Sequence, residues 1–224
     1  MHVTQVKHTL ISDDVYRRLR DAIFSGELAS AQRLDIKRLA EEFGVSNHPV
    51  NEALNRLALE GLVTVKPRSG TFIRTLTLPD IHHILDARLM IETFAVSSIS
   101  DPSPDSLAVL AEKAAVLSGV ANEEPFRFGA YNEADIGFHE TLVELSGNPE
   151  LLRLYRSLHA HFVTARAYFG RALEKAIANE DDHRDIYLAI VRRDYGRARN
   201  LVLRHITDAK EGVLGIVQNA GVRL

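Results

Sequence analysis

The chain has 224 residues, 46% of them hydrophobic and 25% charged, with no cysteine and a formal net charge of −3. That composition fits a globular protein with room for one large or two modest domains. It excludes disulfide frameworks, thiolate metal sites and cysteine nucleophiles, and leaves His and carboxylates for any metal or acid-base chemistry. No apolar run is long enough to span a bilayer and the opening MHVTQVKHTLISDD has no signal-peptide pattern, so the expected location is the cytoplasm, without a membrane partner.

The acidic balance is uneven. Residues 1–76 hold 11 Lys and Arg against 9 Asp and Glu, whereas residues 77–224 hold 16 against 21, so the first part is the better candidate for meeting phosphate.

From Asp13 to Ser25, Val15, Leu19 and Ile23 recur at i, i+4 and i+8 with Tyr16 beside them, and Gly26 stands where a C-cap would. This predicts a first helix. IKRLAEEF, residues 36–43, predicts a second, Gly44 and Val45 a tight turn, and Ser46 an N-cap for a third helix that ends before Gly61. Pro49 is tolerable in the first helical turn. LVTVK and TFIRT, joined by PRSG, predict a two-stranded wing. Together these elements make a winged helix-turn-helix, whose third helix enters the major groove while the wing lies beside the backbone.

After a linker at residues 75–80, strand patterning stops. Helical periodicity recurs in 81–99, 105–121, 125–146, 149–173 and 183–218, with breaks at DPSPD, NEEP, SGNP and near Asn179 and Glu180. The expected fold class is therefore mainly α, with a winged helix-turn-helix over 1–76 and an all-α antiparallel helical bundle over 77–224.

GVSNHPVNEALNRLALEGLV followed by SGTFI resembles the GntR family of bacterial transcription regulators. The bundle segments ARLMIETFAV, DIGFHETLVELSGNPEL and DDHRDIYLAIVRRDYGRARNLVLRHI resemble the ligand-sensing FCD domain of its FadR subfamily. The similarity covers nearly the whole chain, with two domain matches in the expected order. It implies a homodimeric regulator, more commonly a repressor, that binds a near-palindromic DNA operator and responds to a small organic acid.

On the third helix Asn47, Asn51 and Asn55 share one face, and Val50, Ala53, Leu54 and Leu57 occupy the other, which is core. By composition alone the asparagine stripe is a solvated face; in a helix-turn-helix it becomes a candidate reader. The family pattern commonly has arginines at the positions of Asn47 and Asn51, and its basic residue on the second helix corresponds to Lys37. Losing those arginines removes phosphate neutralisation and the bidentate grip on guanine, whereas asparagine suits adenine N6 and N7. The expected DNA-contacting set is Lys37, Ser46, Asn47, His48, Asn51, Asn55, Arg56 and Arg68, the last in the wing turn.

In the bundle, Asp135 and His139 sit four residues apart and emerge on one helix face, where they form either a surface ion pair or half of an ion site. The resemblance implies the second. Asp135, His139, His183 and His205 match the Asp-His-His-His set that binds a divalent metal in many FCD domains, and three imidazoles with one carboxylate suit Zn²⁺, Ni²⁺ or Mn²⁺. Arg88 and Arg166 fall where the family often presents an arginine to a ligand carboxylate. His159 and His161 match no ligand position.

Two rival readings remain. An Asp and three His can activate water as in a metal-dependent hydrolase, although Glu140 and Asp182, adjacent in sequence to the ligands, are expected to point away from the ion. No catalytic residue is assigned. The missing arginines equally fit an interaction or sensor protein whose helix-turn-helix is degenerate.

Overall fold

The computed structural model describes residues 8–25, 27–158 and 172–220. The chain divides into two compact units, with the boundary in sequence between Leu76 and Thr77. Gly26, His159, His161 and Arg166 lie outside the described residues.

In the first unit α1 spans His8–Phe24 and buries Val15, Tyr16, Leu19 and Ile23. It begins before Asp13 because no helix breaker separates His8 from Ser12. Then come β1 (Arg33–Leu34), α2 (Ile36–Phe43) and α3 (Asn47–Leu59). Asp35 caps α2, accepting from the amides of Lys37 at 2.9 Å and Arg38 at 3.2 Å, and Gly44 ends it in the left-handed conformation with φ 66°. Val50, Ala53, Leu54 and Leu57 are buried on α3, so the apolar face expected of that helix is core.

Ser46 holds the N-cap position of α3 with extended backbone, but its hydroxyl makes no capping hydrogen bond. The reason is local: the third helical residue is Pro49, which has no amide hydrogen to donate.

Strands β2 (Val63–Lys66) and β3 (Gly70–Ile73) form the wing, and β1 pairs with β3 on its other side, giving a three-stranded antiparallel sheet of order β1-β3-β2. The two-stranded expectation falls short by β1, which at two residues is too short to show an alternating pattern.

The second unit opens with α4 (Leu78–Ser97), whose N-terminus is closed by a capping box between Thr77 and Asp80. The LPD read as linker is thus the first turn of a helix. It is followed by α5 (Pro104–Ala121), α6 (Phe128–Glu144), α7 (Pro149–Leu158), α8 (Ala172–Val191) and α9 (Tyr195–Ala220). The break expected near Asn179 and Glu180 does not occur, since α8 runs through it. The actual break is at 192–194, within the helix expected over 183–218. Arg193 takes a left-handed φ of 58°, and Asp194 caps the next helix by accepting from the Arg197 amide at 3.0 Å.

Helix α6 packs against α4, α5, α7 and α8, and α9 against α4 and α8. One core cluster includes Val96, Leu110, Phe138, Leu142, Ile186, Val202 and Ile206. No helix among the described residues is long and apolar enough to cross a membrane.

Candidate metal centre and DNA interface

The stripe Ile81, Leu85, Arg88, Glu92 and Val96 is the buried face of α4, so two charged residues sit where the helical period demands apolar ones. Each has a partner there. Arg88 Nε donates to Glu92 Oε1 at 2.7 Å, Tyr155 OH donates to the same oxygen at 2.7 Å, and Glu92 Oε2 lies 2.7 Å from His139 Nδ1. Burial alone would raise the Glu92 carboxyl, but His139 and Arg88 outweigh it and hold the group below the ordinary carboxylate range. A carboxylate only accepts, so His139 carries its proton on Nδ1 and turns the Nε2 lone pair the other way.

That lone pair meets two other elements. His139 Nε2 lies 3.3 Å from His183 Nε2 of α8, and Asp135 Oδ1, one turn back on α6, is 3.7 Å from the first nitrogen and 3.3 Å from the second. His205 of α9 completes the group, stacked on His139 with ring centroids 5.2 Å apart. Donor nitrogens of the three buried histidines all lie within 4.8 Å of one another. Phe138 closes one side, edge-on to His183 at 5.0 Å.

Asp182 holds His205 as Glu92 holds His139: its Oδ2 is 3.4 Å from His205 Nδ1, while Arg204 engages its other oxygen at 3.1 Å. Asp182 therefore serves the far nitrogen of a cluster histidine. Glu140 is paired with Arg156 at 2.6 Å. Burial lowers His205 to about 3, and burial likewise lowers His139 to about 4 against the pull of Glu92. The rings are thus neutral at ordinary pH, the state a metal ligand requires.

Three imidazoles and a carboxylate converging in a buried space are the donor types that one divalent cation takes. The donor set fits such an ion. Glu92 and Tyr155 had no place in the sequence reading, and Asp182 was expected only to point away from the ion, not to engage His205; the available signal for Glu92 was the charged pair at i, i+4 in the apolar stripe of α4. Arg88 is 2% exposed and engages Glu92 through Nε, so its first task is to balance that carboxylate. Nothing in the structure places a ligand on it.

In the first unit Asn47, His48, Asn51 and Asn55 are all exposed along α3, with Ser46 at its start and Lys37 exposed on α2. The Asn51 amide donates to the Asn47 carbonyl at 2.9 Å. Arg56 turns the other way: it pairs with Asp13 and lies 4.0 Å over the Tyr16 ring, tying α3 to α1. Arg68 is exposed at the wing tip with a left-handed φ of 63°, and the adjacent Gly70, at φ 114°, admits the Arg33 side chain against its backbone.

Two family models match the chain: "Bacterial regulatory proteins, gntR family" over residues 11–73, and "FCD domain" over residues 83–208. Among curated relatives, the gluconate operon transcriptional repressor of Bacillus licheniformis is 29% identical over 90% of this chain and 82% of its own. The HTH-type transcriptional repressor GlaR of Escherichia coli is 27% identical over 88% and 93%. Among solved structures, a putative GntR regulator from Rhodococcus sp. RHA1 shares 25% identity with a TM-score of 0.72, covering 91% of this chain and 97% of that one.

Proposed function

The chain belongs to the GntR family, with an FCD domain as its helical part, and from that premise we propose a DNA-binding transcriptional regulator that senses a small organic acid at a divalent metal. The observation that carries the sensing part is the buried convergence of His139, His183 and His205 with Asp135 beside two of them. In this reading the four residues would hold Zn²⁺, Ni²⁺ or Mn²⁺, with Glu92 and Asp182 orienting two of the imidazoles, and a bound ion would supply positive charge for the acid's carboxylate. The regulator acts in the cytoplasm as a homodimer, whose two winged units meet the halves of a near-palindromic operator. It acts as a repressor, and acid binding releases DNA by favouring a dimer arrangement that no longer matches both half-sites.

On the DNA side the exposed Asn47, Asn51 and Asn55 read base edges with a leaning to adenine, while Lys37, Ser46, His48 and Arg68 position the backbone. Two features support this. The Ser46 hydroxyl is not spent on capping. Arg68 is held in a conformation that costs a non-glycine residue roughly 1 kcal/mol, strain that a backbone contact would offset. Arg56 is left out, since its charge is engaged by Asp13.

Against the metal-hydrolase reading, the carboxylates of Glu92, Asp182 and Glu140 are each engaged by another side chain. The degenerate helix-turn-helix has one observation in its favour, the Asn51 amide bound to its own helix.

Selection of genomic fragments by the purified protein separates these readings. A two-fold motif with adenines at the contacted positions is expected; no enrichment at low salt, with or without metal and acids, supports the degenerate reading. With the operator in hand, Arg68→Gly should relieve the wing strain and lower the salt slope of binding by about one phosphate contact. An unchanged slope would remove Arg68 from the interface.

A further inference from the structure

A cavity of about 240 Å³ opens between α5, α6 and α8. Its relation to the histidine cluster is set by helical period. Tyr131 lines the cavity and stands one turn before Asp135, which stands one turn before His139, so one face of α6 carries all three. On α8 His183 belongs to both the cluster and the cavity wall, and Tyr187 lies one turn further along the same face. The cavity thus borders the proposed metal centre at His183.

The opposite wall is α5, where Ala111, Ala115 and Ser118 recur at i, i+4 and i+7. Small side chains there leave room for a ligand and supply one hydroxyl. The α5 wall is almost wholly apolar, so each hydroxyl of a polyhydroxylated acid left facing it without a partner would cost about 1–3 kcal/mol. Two tyrosine rings facing alanines favour a flat or aliphatic body instead. At roughly 30 Å³ for each displaced water, the volume holds about eight waters, which matches a ring with a short arm and is too small for a long acyl chain.

We propose that the effector is a small apolar carboxylic acid, its carboxylate at the His183 side and its body between α5 and the rings of Tyr131 and Tyr187. This rests on the metal-centre reading and narrows it.

The test is titration calorimetry on the full chain, loaded with Zn²⁺ and then given phenylacetate or gluconate, in the wild type and in Ala115→Phe. Ala115 lines the cavity but is exposed, so the larger ring fills the space without entering the core. Phenylacetate should bind at least about tenfold more tightly than gluconate, and Ala115→Phe should weaken it about tenfold while Zn²⁺ uptake stays unchanged. Gluconate binding the more tightly, or phenylacetate binding undiminished in Ala115→Phe, overturns the apolar-acid proposal and leaves the metal centre standing. A wild type that takes up no Zn²⁺ overturns both.

Discussion

Glu92 joins three elements through one carboxylate: Arg88 on its own helix, His139 on α6 and Tyr155 on α7. Glu92→Gln would leave the Arg88 charge buried without a counter-charge, which costs about 3–5 kcal/mol. It would also replace the carboxylate that fixes the His139 tautomer with an amide, whose one acceptor oxygen is claimed by Arg88 and Tyr155 so that its NH2 faces His139. Loss of such a partner typically weakens metal binding about 10–100-fold. The two effects separate in the double variant Arg88→Met with Glu92→Gln. With the stranded charge gone, much of the stability should return in denaturant unfolding, while metal affinity should stay low because His139 still lacks its carboxylate. A double variant no more stable than Glu92→Gln would mean that the ion pair is not what Glu92 contributes.

At the scale of elements, α3 is held to α1 by polar ties as well as by its apolar face. Tyr16 OH donates to both carboxylate oxygens of Glu60 at 2.8 Å, Arg56 covers the Tyr16 ring, and Ser12 donates to Glu52. Burial, then Glu60, raises the Tyr16 phenol to about 12 from an ordinary 10. The folded state therefore holds this proton more tightly than the unfolded chain. Its contribution is complete below pH 10 and is lost as pH rises from about 10 to about 12, on the order of 2 kcal/mol. Tyr16→Phe should flatten that part of the stability profile, and a profile as steep as the wild type's would remove Tyr16 as its source. The same helices show what the sequence could reveal. The core face of α3 was legible because Val50, Leu54 and Leu57 repeat at the helical period. Strand β1 was not, because two residues carry no period, and neither was the turn at Arg193, because a left-handed position without glycine sends no compositional signal. In the site, the four residues named from the sequence lie together, whereas Glu92 stayed hidden because a partner in the core is a property of packing.

At the scale of the molecule, a metal held within one of two compact units should stabilise that unit alone. The cluster joins α6, α8 and α9, all in the second unit, and no cluster residue lies before Thr77. Binding confined to the folded state raises stability by about 2.7 kcal/mol when free metal is at 100 times its dissociation constant. Calorimetry should then show one transition moving down when the metal is chelated while the transition of the winged unit stays in place. His139→Ala should abolish the shift, because it removes a ligand at the centre of the cluster. If both transitions move together on chelation, the two units unfold as one cooperative body, and metal occupancy would reach the DNA-binding part through stability as well as through shape. If neither moves, the convergence of His139, His183 and His205 is a packing arrangement and the sensing reading falls with it.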